Sequence, residues 1–154
     1  MKLTIDAFDR KIIRAIQAAP DIAIQTLAER VGLSHTPCWR RLKKLEESGV
    51  IKGRAVLLDA DALGLPVTVF AHIRIRSHDE ETIEAFERTA RSRPEIVECF
   101  SMSGEADFLL RVAMPSVAEY ESFLKKVLVH MPGVGTVNSS IALKCVKFTT
   151  MLPV

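Results

Sequence analysis

At 154 residues with 48% apolar side chains, the chain holds material for one ordinary domain or two small ones, and its formal net charge of +2 alone points to no class of partner. Three widely spaced cysteines, Cys38, Cys99 and Cys145, show no C-x-x-C or Cys/His spacing, so neither a disulfide framework nor a metal site is expected and each reads as a small buried side chain. The N-terminus lacks an apolar signal core and no apolar run approaches ~20 residues, so a cytoplasmic protein without membrane contact is expected.

The charge is unevenly spread. Residues 1–54 carry 11 Lys/Arg against 6 Asp/Glu, whereas residues 55–154 carry 10 against 13, which points to a basic nucleic-acid-binding end joined to a domain with another task. Phe8, Ile12, Ala15 and Ile16 recur at helical spacing and predict a helix over Ala7–Ala18, capped by Asp6 and ended by Pro20. A short second helix from Ile24 turns Leu27, Ala28 and Val31 inward. Gly32 follows where a positive φ is wanted, and its missing Cβ is expected to let two helices cross closely. Ser34 is placed to cap a third helix, with Pro37 in its first turn, Cys38, Leu42 and Leu45 on its inner face, and Gly49 at its end. Val50–Asp59 reads as an extended segment, a candidate wing.

A helix, a glycine turn and a cationic helix in this order predict a helix-turn-helix, which sets its second helix in the major groove of double-stranded DNA. His35, Thr36 and Arg40 are the candidates for base edges, because residues at the start of the inserted helix reach deepest. Arg40, Arg41, Lys43, Lys52 and Arg54 are the candidates for phosphate, Lys44 belongs to the same DNA-binding set, and the positive end of the helix dipole at Ser34 suits a phosphate as well. Trp39 either packs at the edge of the three-helix core or lies along the sugar-phosphate backbone; partial core packing is the favoured placement.

After Gly64 the pattern changes. Val67, Val69, Ala71, Ile73 and Ile75 alternate with Thr68, Phe70, His72, Arg74 and Arg76 as a period-2 strand. A helix is predicted over Glu80–Arg93, then strands at about Val97–Ser103 and Phe108–Met114 joined by a tight turn at Gly104–Asp107. A helix over Ser116–His130 has Val117, Tyr120, Phe123, Val127 and Met131 inward, and a last strand covers about Thr136–Thr149. The order β-α-β-β-α-β is the ferredoxin-like arrangement, in which both helices cover one face of a four-stranded antiparallel sheet. The opposite face has no helix left to cover it, so a second copy of the chain is the expected partner, and a two-fold dimer also presents paired reading helices. The expected fold is therefore α+β: a helix-turn-helix domain over 1–54, an extended linker strand over 55–64, and an effector-binding and oligomerisation domain over 65–154.

The stretch V-G-L-S-H-T-P-C-W-R-R-L-K-K-L-E-E-S-G-V-I-K-G resembles the signature of the Lrp/AsnC (leucine-responsive, or feast/famine) transcription regulators. S-G-E-A-D-F-L-L at Ser103–Leu110 and L-x-x-x-P-G-V at Leu128–Val134 are similar to that family's regulatory domain. The resemblance covers essentially the whole chain. It implies a regulator of amino-acid metabolism or transport, dimers that assemble further to octamers, and an amino-acid effector bound between regulatory domains. It places that effector at Gly104, Glu105, Ala106 and Asp107, faced by Ser140, Ile141, Ala142 and Val117. Gly104 keeps the backbone open there, turn N–H groups can meet a carboxylate, and Asp107 can accept from an α-ammonium; the same turn also reads as a plain hairpin with Asp107 as its polar cap.

The alternative function is an amino-acid-binding regulatory subunit of an enzyme, and the Gly32–Lys44 constellation argues against it. An enzyme is not expected, because His35, His72, His78 and His130 are scattered without a nucleophile-base spacing and no phosphate-binding glycine loop is present.

Overall fold

The computed structural model describes residues 4–154, and the chain divides into two compact units. One takes the chain to Leu57 together with Lys147–Val154; the other is Leu58–Val146.

The first unit is built on three helices, α1 (Ala7–Ala18), α2 (Ile24–Val31) and α3 (His35–Glu47). Asp6 caps α1 by a reciprocal box: its carboxylate accepts from Asp9 N–H at 2.9 Å while the Asp9 carboxylate accepts from Asp6 N–H at 3.1 Å. Ile12, Ile13, Ala15, Leu27, Ala28, Val31, Cys38 and Leu45 form the core, with Leu42, Ile51 and Val154 packed against it. Gly32 adopts φ 74°, the left-handed C-cap of α2. A Cβ there would meet no atom within 4 Å, so the requirement for glycine comes from the backbone turn and not from a close helix crossing. Residues 50–58 carry neither helix nor strand, and Asp59–Leu65 is a turn instead of the expected linker strand. The Asp59 carboxylate accepts from Ala62 N–H at 3.1 Å and fixes that turn.

The second unit runs β1 (Val67–Ile75), α4 (Glu80–Ser92), β2 (Ile96–Ser101), β3 (Phe108–Met114), α5 (Val117–Lys126), a 3₁₀ turn (Leu128–His130) and β4 (Val134–Ile141). All pairings are antiparallel and the sheet order is β2-β3-β1-β4, the ferredoxin-like arrangement. Val69, Ala71, Ile73, Leu110 and Val112 on one face are fully buried beneath Phe86 and Ala90 of α4 and Tyr120 and Phe123 of α5. The Phe86 and Phe108 rings meet at 4.4 Å between centroids.

Two expected elements are shorter than the periodicity predicts. The helix from Val117 stops at Lys126 and tightens into the 3₁₀ turn, because Pro132 holds Met131 extended at ψ 148°. The last strand ends at Ile141 rather than near Thr149. Its partner gives out: Ala142 N–H still bonds to Thr68 O, but Pro66 lies just before β1 and has no N–H to offer. Beyond this point the chain returns to the first unit, where Gln17 forms a two-bond pair with the Leu152 backbone at 2.6 and 3.1 Å and Arg14 Nε donates to Val154 O at 2.5 Å. Of the cysteines, only Cys38 is buried; Cys99 and Cys145 are exposed.

Candidate nucleic-acid interface and ligand recess

Helix α3 is held by its apolar side and leaves its opposite side to solvent. Cys38 and Leu45 are buried, whereas Ser34, His35, Thr36, Arg40, Lys43 and Lys44 are exposed. Ser34 stands at the N-cap position with extended backbone, yet its hydroxyl makes no capping hydrogen bond. The first turn of α3 thus keeps unanswered N–H groups beside a free hydroxyl, a local environment suited to an anionic oxygen.

The cations divide into two groups. Arg41 meets Asp6 at 2.6 Å and Asp9 at 2.7 Å, and these two carboxylates hold its guanidinium above its ordinary pKa. Arg41 thereby ties α3 to the capping box of α1. Lys43 and Arg54 converge on Glu46 at 3.4 and 3.5 Å, both in exposed geometry, where ion pairs are weak and exchangeable. Arg40, Lys44 and Lys52 have no acidic partner within ion-pair distance among the described residues.

Trp39 is 47% exposed rather than packed in the core. With Arg40, Lys43 and Lys44 it lines a groove of about 700 Å³ between α3 and the start of α1. Phe8, expected on the inner face of α1, lies at the same groove, with Arg41 5.6 Å and Lys11 5.2 Å from its ring centre.

In the second unit one face of the sheet has no helix over it, and its outward side chains mix apolar and polar in the same rows. Leu109 of β3 stands in register between His72 of β1 and Phe100 of β2, and Phe70 opposes Arg111, with Phe100 52% exposed. On β1 and β4, Arg74 opposes Thr136, His72 opposes Asn138 and Phe70 opposes Ser140. These polar side chains floor a recess of about 660 Å³ whose rim is Met102, Ser103, Glu105 and Ala106 of the β2–β3 turn.

The turn is anchored to β1. Arg74 Nε donates to Glu105 O at 2.5 Å, and the Asp107 carboxylate accepts from Ile75 N–H at 2.7 Å and pairs with His78 Nε2 at 2.7 Å. The Ile75 N–H and then the His78 ring hold the Asp107 carboxyl below its ordinary pKa. Both Asp107 oxygens have partners within the chain, which makes it the polar anchor of the hairpin.

Of the expected effector residues, Glu105, Ala106 and Ser140 line this recess and Gly104 lies in its turn; Val117, Ile141 and Ala142 do not line it. Sequence reasoning missed His72, Arg74, Thr136 and Asn138. Their signal was the outward half of two strand alternations, read only as the polar side of a sheet.

Two family models match the chain, a winged helix-turn-helix DNA-binding domain over residues 5–52 and the Lrp/AsnC ligand-binding domain over residues 68–152. The chain belongs to the Lrp/AsnC family. Among curated relatives it is similar to the DNA-binding transcriptional activator DecR of Escherichia coli, 37% identical over 97% of this chain and 99% of that one. It is also similar to the glutamate uptake regulatory protein of Zymomonas mobilis, 36% identical over 97% and 90%. A crystal structure of an AsnC family transcriptional regulator from Agrobacterium tumefaciens superposes with a TM-score of 0.90 at 44% identity, covering 96% of each chain. A transcriptional regulator from Neisseria meningitidis, solved as an L-methionine complex, superposes with a TM-score of 0.91 at 35% identity, covering 97% of each. Among the described residues no helix is long and apolar enough to cross a membrane.

Proposed function

We propose that this Lrp/AsnC chain is a sequence-specific DNA-binding regulator of transcription, acting on genes of amino-acid metabolism or transport, whose assembly or DNA affinity responds to a bound amino acid. The observation that carries the reading is the solvent side of α3: a free N-terminal turn at Ser34, His35 and Thr36 followed by exposed Arg40, Lys43 and Lys44. His35, Thr36 and Arg40 face base edges; Ser34, Lys43, Lys44, Lys52 and Arg54 face phosphate, and Trp39 lies against the sugar-phosphate chain. Arg41 leaves this set, since its partners are Asp6 and Asp9.

The regulator works as a dimer that assembles further, toward an octamer. Supporting this is the amount of apolar surface left bare: Phe100 on the open sheet face, Val56, Leu57 and Leu58 before the sheet, and Leu143 and Val146 after it, with Leu143 99% exposed. The amino-acid effector sits at the recess beside the Ser103–Asp107 turn.

Binding of the full chain to DNA from upstream of its own gene, measured by mobility shift over a salt series, tests the reading. The expected result is an affinity that falls linearly on log–log axes as salt rises, from counterion release, with a preference for the specific fragment over unrelated DNA. No shift, or a shift indifferent to salt, contradicts it.

A further inference from the structure

The recess on the open sheet face has a chemistry that narrows what it can hold. Its volume of about 660 Å³ exceeds the need of a single amino acid, so shape alone does not select. Hydrogen bonding does. Arg74, His72, Thr136, Asn138 and Ser140 line the recess and are exposed in the single chain. Arg74 is anchored through Nε to Glu105 O at 2.5 Å. Its two terminal nitrogens have no partner among the described residues, which leaves two donors of a planar guanidinium for a carboxylate. Glu105 supplies the one acidic side chain of the lining, which matches the recess to a zwitterion rather than to a net anion.

From Arg74 the floor continues along the strands to His72–Asn138, two residues away, or about 7 Å at the rise of an antiparallel strand. The carboxylate and side-chain amide of glutamine, each with a hydrogen bond added, span that separation. An aliphatic or thioether side chain laid there would strip water from Asn138, Ser140 and His72 and return no hydrogen bond. A second carboxylate would meet no second guanidinium or ammonium group.

Resting on the effector reading above, we infer that the recess selects a neutral amino acid with a hydrogen-bonding side chain, Arg74 taking its carboxylate and Asn138 with Ser140 its side-chain amide or hydroxyl. Titration calorimetry of the full chain with L-glutamine and the near-isosteric L-methionine, with L-glutamate as third ligand, tests it. Glutamine is expected to bind about tenfold or more tighter than methionine. Arg74→Gln abolishes binding of glutamine, and Asn138→Leu reverses the preference toward methionine, both with unchanged melting temperature. Methionine binding as tightly as glutamine, glutamate binding more tightly, or a glutamine preference that survives both substitutions overturns the inference while leaving an amino-acid effector in place. No binding by any of the twenty amino acids removes the effector reading itself, and this inference with it.

Discussion

Arg40 and Arg41 leave the same helix one residue apart, yet only Arg41 meets carboxylates, those of Asp6 and Asp9. Arg41→Ala should lower the melting temperature without changing the salt dependence of DNA binding. Arg40→Ala should do the reverse, keeping the melting temperature and reducing the log–log salt slope by about 1. Capping carboxylates contribute to the acid side of the stability profile. The Ser77 hydroxyl, followed by the Thr82 N–H, holds the Asp79 carboxyl down to about 2 from an ordinary 3.8. A carboxyl whose folded pKa is depressed contributes stability that is present above 3.8 and is lost as pH falls through the folded value. Denaturation midpoints of the wild type should therefore decline between pH 3.8 and about 2 more steeply than those of Asp79→Asn. Asp6, lowered first by Asp9 N–H and then by Arg41, adds in the same direction. Gly133 combines φ 71° with a Cβ position inside contact distance of Thr82 Cγ2 and 3.2 Å from Ile75 Cγ2. Gly32→Ala carries only backbone strain, about 1 kcal/mol, so Gly133→Ala should cost more in chemical denaturation. Thr82→Ser, which removes that methyl and keeps the hydroxyl bonded to Asp79, should return part of the difference.

Among the elements, the C-terminal segment makes the least anticipated contact. Gln17 reads the Leu152 backbone in both directions and Val154 joins the three-helix core. In Gln17→Ala with Arg14→Ala, hydrogen exchange at the Leu152 amide should speed to that of an unstructured peptide and α1 should lose protection; an already unprotected Leu152 amide in the wild type would contradict the contact. This contact was not legible in the sequence because Gln17–Leu152 is a side chain reading a backbone, which leaves no periodic trace. α1, α2 and β1 were legible for the opposite reason: each buries one face over its whole length, and burial imposes its period on residue type. The end of β4 was not, since a strand ends where its partner does, and residues 142–149 keep an apolar pattern without a neighbour to pair. Likewise the recess floor looked like ordinary outward strand residues until the register set Arg74 beside Thr136 and His72 beside Asn138.

For the whole molecule, one cationic helix can read one half-site, and affinity for a near-palindromic operator requires a second copy. Phe100→Glu, on the open sheet face, should shift the sedimentation coefficient from the assembled species to the single chain while leaving each unit folded. It should also weaken DNA binding without touching α3. The fold and the basic helix were both evident in the sequence, since a basic helix after a glycine turn needs no tertiary information to recognise; which of its cations pair with carboxylates was not, because Arg41 finds Asp6 and Asp9 only once α1 and α3 are packed. The most direct test of the account is the salt series repeated on Arg40→Ala with Lys43→Ala, beside Arg88→Ala with Arg91→Ala on α4 as a charge-matched control. The account predicts a dimer of unchanged stability whose affinity drops and whose log–log slope shrinks by about 2 in the α3 pair, with the control indistinguishable from wild type. Equal slopes and equal affinities in all three proteins would contradict it.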